Sequence, residues 1–195
     1  MIGLQDRNQH QLLVTGRKEP SLTNFNYMAV LSTDLKFFLS GGAANTDPDA
    51  ALGGIISTTQ VVDNTLNNLF DNVSGAEHTV GDINYRCIYV KNDSASVAYA
   101  AKLYIETNTP AADSEIQIGL DLSGAGGTAD TIPDESTAPD PAVTFSLAAD
   151  YANALSLGDL AAGAVYAIWI KRTITAGDTS QANDNAVLKL AVDTA

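Results

Sequence analysis

One cysteine, two histidines and one tryptophan in 195 residues leave little of the usual equipment of catalysis. A lone Cys87 excludes an internal disulfide framework and any multi-cysteine zinc site. His10 and His78 leave little for histidine-centred acid–base chemistry. Cations are scarce as well: 10 Lys+Arg stand against 23 Asp+Glu, for a net charge of −13 and a pI near 4.2. Because a phosphate backbone is gripped mainly by Lys and Arg, nucleic acid is not expected as a partner. No stretch approaches the ~18 consecutive apolar residues of a membrane helix, and the opening MIGLQDR lacks the apolar run of a secretory signal. The reading is of a soluble protein with no membrane partner and no export by that route.

Nucleotide and nucleophile motifs are missing too. The glycines of residues 124–127 (GAGG) lead into Thr, Ala and Asp with no lysine, not into the helix a phosphate loop needs. There is no Gly-x-Ser-x-Gly elbow. Carboxylates are plentiful enough for glycoside hydrolysis, but only geometry identifies such a pair. Asp47 with Asp49, Asp134 with Asp140, or Asp178 with Asn183 and Asp184 supply oxygens of the kind calcium takes, yet none has EF-hand spacing. Solvated turn residues are the simpler reading, and neither a metal nor a cofactor is expected.

What is present is apolar side chain, charge asymmetry and alternation. Hydrophobic residues make up 45 % of the chain, enough for a core, and the length suits one domain with an arm. Residues 1–40 hold Arg7, Arg17, Lys18 and Lys36 against Asp6, Glu19 and Asp34, a net of +1, so residues 41–195 hold −14. No cation lies between Lys102 and Lys171. Such asymmetry marks an arm beside a body with its own field. The first 28 residues lack clean periodicity. Residues 1–33 therefore read as an extended N-terminal arm that gains order on a partner, and residues 34–195 as the folded domain. Arg7, Arg17 and Lys18 are the candidate partner-binding residues of the arm.

Past the arm, period-two alternation dominates. Ile116, Ile118, Leu120 and Leu122 alternate with polar residues or glycine, and Val143, Phe145 and Leu147 repeat the pattern. Residues 85–91 (YRCIYVK), 96–107 (SVAYAAKLYIET), 166–174 (YAIWIKRTI) and 186–192 (AVLKLAV) are β-prone and bounded by turn formers, with residues 35–39 as a further strand. The expected fold is all-β: an antiparallel Greek-key or jelly-roll-like sandwich of seven or eight strands, with long loops at 41–54 and 124–141. Residues 61–70 (VVDNTLNNLF) form either a short helix or an irregular loop. His78 falls in a loop, and Cys87, in step with Tyr85 and Tyr89, reads as a small core group. Tyr166, after the glycines of residues 156–165, is placed to latch its hydroxyl to upstream backbone as in a tyrosine corner. Trp169 is an outward interface anchor or sugar platform in one register and core in the other, and a contact within the fold or between subunits is preferred.

Residues 39–54 (LSGGAANTDPDAALGG), 68–77 (NLFDNVSGAE), 81–92 (GDINYRCIYVKN), 157–163 (LGDLAAG) and 168–172 (IWIKR) resemble virion structural proteins of tailed bacteriophages. The likeness covers residues 39–195 and leaves the arm unmatched. It implies a non-enzymatic building block of the particle, most like a capsid decoration (cement) protein on the exterior of the virion, assembled in the host cytoplasm. The implied partners are the major capsid protein and copies of the chain itself, as a homotrimer. The alternatives are a tail, baseplate or fibre subunit, or a glycan-binding module using Trp169 with Tyr99 or Tyr104.

Overall fold

The computed structural model describes residues 30–177 and 184–193. Nine strands and one short helix follow one another: β1 (Leu35–Leu39), β2 (Gly53–Gly54), α1 (Gly75–Val80), β3 (Asp82–Asn92), β4 (Ala98–Thr107), β5 (Ser114–Leu120), β6 (Ala129–Thr131), β7 (Leu155–Leu160), β8 (Val165–Ile174) and β9 (Val187–Asp193). They form a four-stranded sheet in the order β1-β3-β8-β5, a three-stranded sheet in the order β7-β4-β9, and a two-stranded ribbon of β2 with β6. Every pairing is antiparallel. The protein is an all-β antiparallel sandwich, and among the described residues no two consecutive strands pair with each other.

The four-stranded sheet is buried on both faces. Alternate residues of its central strands, Ile88 and Val90 on β3 with Ile168 and Ile170 on β8, meet Leu103, Ile105, Leu157 and Leu160 of the three-stranded sheet in the main core. The intervening residues, Tyr85, Cys87, Tyr89, Ala167 and Trp169, form a second core with Ala129, Ile132 and Val143 from the long loop after β5. The 41–60 segment adds Leu52 and Ile56 to that layer. The long loops thus form a third layer, instead of projecting from the surface.

Tyr89 fixes this layer: its hydroxyl donates to Gly54 O at 2.6 Å and accepts from Ala129 N at 2.9 Å, so one side chain ties β3 to both strands of the ribbon. Gly53 makes the approach possible, since at φ +90° a Cβ would lie 1.9 Å from Asp130 O. The tyrosine latch is therefore Tyr89 and not Tyr166, whose hydroxyl has no hydrogen-bond partner among the described residues.

Asn92 joins the two sheets. Wholly buried, it donates from Nδ2 to Ser96 O, Leu160 O and Ala161 O at 2.8, 2.9 and 3.1 Å, while its Oδ1 accepts from Ser94 N and Oγ. Its backbone pairs with Gly163 and Ala164. One amide thereby fastens the end of β3 to the turns entering β4 and β8.

Of the two readings open for residues 61–70 the irregular loop is the one formed, because Asn64 and Asn67 adopt left-handed backbone at φ 54° and 57°, which asparagine tolerates. Two expectations are corrected. The helix is α1, with Ser74 and Glu77 forming a capping box, so His78 is helical. The 143–147 alternation makes no strand beyond an isolated bridge of Ser146 to Ile118; Val143 instead packs on the bare Cα of Gly119 and Phe145 tilts onto Tyr85 at 5.6 Å.

Replacing Asn92 by Ala strands the buried Leu160 carbonyl, removes the bonds to Ser96 O and Ala161 O, and should lower unfolding free energy by about 1–3 kcal/mol in urea titrations. Tyr89→Phe should cost about 1–2 kcal/mol and Tyr166→Phe under about 0.5 kcal/mol, since only Tyr89 makes hydroxyl bonds. Equal midpoints for the two tyrosine variants would contradict the latch.

Candidate functional site

Of the four candidate partner-binding residues, Arg7, Arg17 and Lys18 lie outside the described residues, as does the sequence-predicted arm up to residue 29. Residues 30–33 belong to the body. Val30 is 8 % exposed within the main core, Leu31 N donates to Asp34 Oδ2, and Asp34 O accepts from Asp93 N at 2.7 Å.

Trp169, the fourth candidate, is corrected: it is 0 % exposed in the second core. Its indole N–H donates to Asp121 Oδ2 at 2.8 Å, and Asp121 Oδ1 accepts from Ser123 N and Oγ. The register question put one face of β8 in water, but both faces are covered, so Trp169 is neither a subunit anchor nor a sugar platform. Cys87 beside it is fully enclosed, and burial pushes its thiol pKa up, away from the reactive thiolate.

The charges of the body are arranged unequally. All seven described cations are engaged within the fold. Lys36 and Lys91 hold Asp93 at 2.6 and 2.7 Å; Arg86 pairs with Asp49 at 3.0 Å and with Glu135; Arg172 pairs with Asp71 at 3.2 Å; Lys189 pairs with Glu106. Lys171 meets Gln117, and Lys102 lies over the Tyr151 ring at 4.4 Å. Of the 23 acidic residues in the chain, Asp6, Glu19 and Asp178 lie outside the described residues. Only Asp49, Asp71, Asp93, Glu106 and Glu135 of the remaining 20 pair with Lys or Arg among the described residues. The surface field is accordingly acidic almost throughout.

Two of those cations are structural. Arg86 and Arg172, neighbours on the face of β3 and β8 toward the main core, both lie over the Phe70 ring, at 5.5 and 4.7 Å from its centroid. Arg172 also binds Asn84 Oδ1 and Asp71 O. They anchor the 61–73 segment and, through Asp49 and Glu135, both long loops. Of the residues weighed as calcium ligands, Asp49 serves Arg86 and Asp134 accepts from Ser136 and Thr137, while Asp178 and Asn183 lie outside the described residues.

Two surface features have the form of a site. The outer face of the three-stranded sheet presents Tyr99, 38 % exposed, with Lys102, Tyr104 and Tyr151, the two rings meeting edge-on at 6.2 Å. Tyr151 was missed by sequence reading because it sits on a single 3-10 turn, residues 151–153, that follows no strand pattern. At the other end an open recess of about 500 Å³ is lined by Asn108, Thr109, Asp113, Glu115 and Thr173. Its polar groups already have work: Asn108 caps Ile116 N and O, Thr109 binds Asp184, and Asp113 faces His78 Nε2 at 3.5 Å. Compared with protein families, with curated proteins and with solved structures, the chain finds no match in any of the three.

Hydrogen bonds from Lys36 and Lys91 hold the Asp93 carboxyl down at about 2, from 3.8. A carboxyl depressed on folding contributes stability that is complete above its unfolded pKa and lost as pH falls toward the folded one. Thermal midpoints should therefore fall between about pH 4 and pH 2, and Asp93→Asn should flatten that limb; an unchanged limb would contradict the pairing.

Proposed function

We propose that the protein is a non-enzymatic structural component of a tailed-bacteriophage particle, a decoration protein that binds the assembled capsid and stabilises it by bridging major capsid subunits. The observation that carries this reading is the division of charge. The body commits each of its cations internally and turns uncompensated carboxylates outward, whereas Arg7, Arg17 and Lys18 precede it on a segment of opposite local sign. An acidic body faces water and resists self-association, while the cationic segment is the part with affinity for an acidic protein groove.

A protein that binds the completed lattice and not its separate subunits stabilises it by mass action. Repetition of a modest contact over a symmetric shell supplies avidity. The likeness to decoration proteins adds the homotrimer and the position on the capsid exterior. The aromatic outer face of the three-stranded sheet favours a second reading, a glycan-binding module through Tyr99, Tyr104 and Tyr151; a glycan array on which Tyr151→Ala removes a signal would support it over the first.

Purified protein added to expanded capsids should raise their rupture temperature in a thermal scan. Neutralising the segment (Arg7→Ala, Arg17→Ala, Lys18→Ala) should weaken capsid binding by a factor of about 3 to 150, at about 0.2–1 kcal/mol for each exposed pair, with the unfolding midpoint of the free protein unchanged. Full binding by the triple variant would overturn this assignment of the segment.

A further inference from the structure

The outer face of the three-stranded sheet departs from regular backbone at the two places that set its tyrosines. Along β4, Ala98, Ala101, Leu103 and Ile105 are buried, while Lys102, Tyr104 and Glu106 face outward. Strict alternation would send Tyr99 inward. A bulge between Ala98 and Ala101 adds one residue and turns Tyr99 outward instead, to 38 % exposure. Ala100, inside that bulge, takes left-handed backbone at φ 46°, and its N donates to Asp159 Oδ1 at 2.9 Å.

Ala148 adopts the same conformation at φ 39°, its N donating to Ser146 Oγ and its O accepting from Ile105 N. The chain leaving it carries Tyr151, 47 % exposed, to a position where Lys102 lies over its ring. Alanine has no side-chain bond to ease left-handed backbone. Strain of this kind, held in place by its surroundings, gathers at binding surfaces.

Between the two exposed rings the sheet is bare. Lys102 stands opposite Ser156 on β7 and Ala191 on β9, and a Cβ on Gly158 would meet nothing within 4 Å. Tyr99 and Tyr104 face Asp193 and Lys189 across the ladder, so the tyrosines mark a span of about 13 Å. Among the described residues Lys102 is the cation with no oxygen partner, and its N–H donors are unspent.

Charge narrows the occupant. Lys189 is tied to Glu106, and Asp159 and Asp193 border the face, on a chain of net charge −13. A polyanion, nucleic acid or acidic polysaccharide alike, is repelled by that field, and a polycation meets Lys102 at the centre. An uncharged sugar meets neither penalty. Its C–H face offers hydrogens of positive character to the negative faces of aromatic rings, and its hydroxyls accept from Lys102. The span between the rings is longer than one sugar ring.

We propose that the outer face of the three-stranded sheet binds an uncharged oligosaccharide, packed against the exposed rings of Tyr99 and Tyr151 with Lys102 donating to its hydroxyls. The inference rests on the glycan-binding reading of this face and adds the class of glycan and the cation that orients it.

A glycan array carrying uncharged oligosaccharides beside uronate- and sialate-bearing ones, probed with the full chain, tests it. Uncharged members should bind, with the same affinity at low and high salt. Tyr99→Ala and Tyr151→Ala should each weaken binding about tenfold and Lys102→Met about tenfold or more, with Lys102→Arg restoring it. Ser156→Trp, which fills the bare floor, should abolish the signal and serves if a tyrosine variant unfolds. Signal confined to acidic glycans overturns the uncharged class and leaves the glycan reading standing; no signal on any glycan overturns both. An undiminished Lys102→Met signal overturns the role of the cation. Binding that survives both tyrosine variants and Ser156→Trp overturns the site. An oligomer that dissociates on Ser156→Trp in sedimentation assigns the face to copies of the chain and overturns it as well.

Discussion

Burial of β3 and β8 on both faces is the constraint from which the rest of the structure follows. A strand covered on one side can send its polar residues to water; the middle stretches of these two cannot, and the polar residues buried there, Asn84, Arg86, Asn92 and Arg172, find partners inside. Asn92 is bonded to both sheets, and Arg86 and Arg172 draw in Asp49, Glu135 and Asp71. Those pairings determine where the long loops go. The loops in turn supply the third layer that makes double burial possible, so the sheet and its cover stabilise each other. Single buried arginines are costly unless paired and hydrogen-bonded, and here each also lies over the Phe70 ring.

Strands were legible in the sequence where side chains alternate in type or where β-branched and aromatic residues are dense, as in β3, β4, β5, β8 and β9. The covering layer was not legible. Residues 124–141 are rich in Gly, Ala, Asp and Pro, and their composition does not reveal that Ala129 and Ile132 reach a core. Trp169 was undecidable for the same reason: alternation tells which residues share a face, and it cannot tell that both faces are dry. The capping box of Ser74 and Glu77 was readable as S-x-x-E, but only six helical residues follow, too few to show a 3.6-residue period. Short β7 was hidden because Gly158 and Asp159 break its pattern, Asp159 serving instead to cap the bulge at Ala100.

The charge division was visible from residue counts, and the structure adds how it is maintained. Lysine and arginine of the body are used as internal fasteners, and no described cation is left over to neutralise the outside. The outer aromatic face shows the reverse case. Lys102 is drawn onto Tyr151, a placement that depends on a bulge in β4 and a turn more than 40 residues away, and local pattern carries no trace of it.

The absence of any pairing between consecutive strands has a consequence for synthesis. Trp169 stands opposite Cys87, 82 positions earlier, and β4 waits for β9. A ribosome must therefore deliver nearly the entire chain before the central sheet can close, and folding is of the slow kind set by distant contacts. A copy truncated during translation lacks the strands that β3 and β4 pair with, a form of quality control written into the order of the strands.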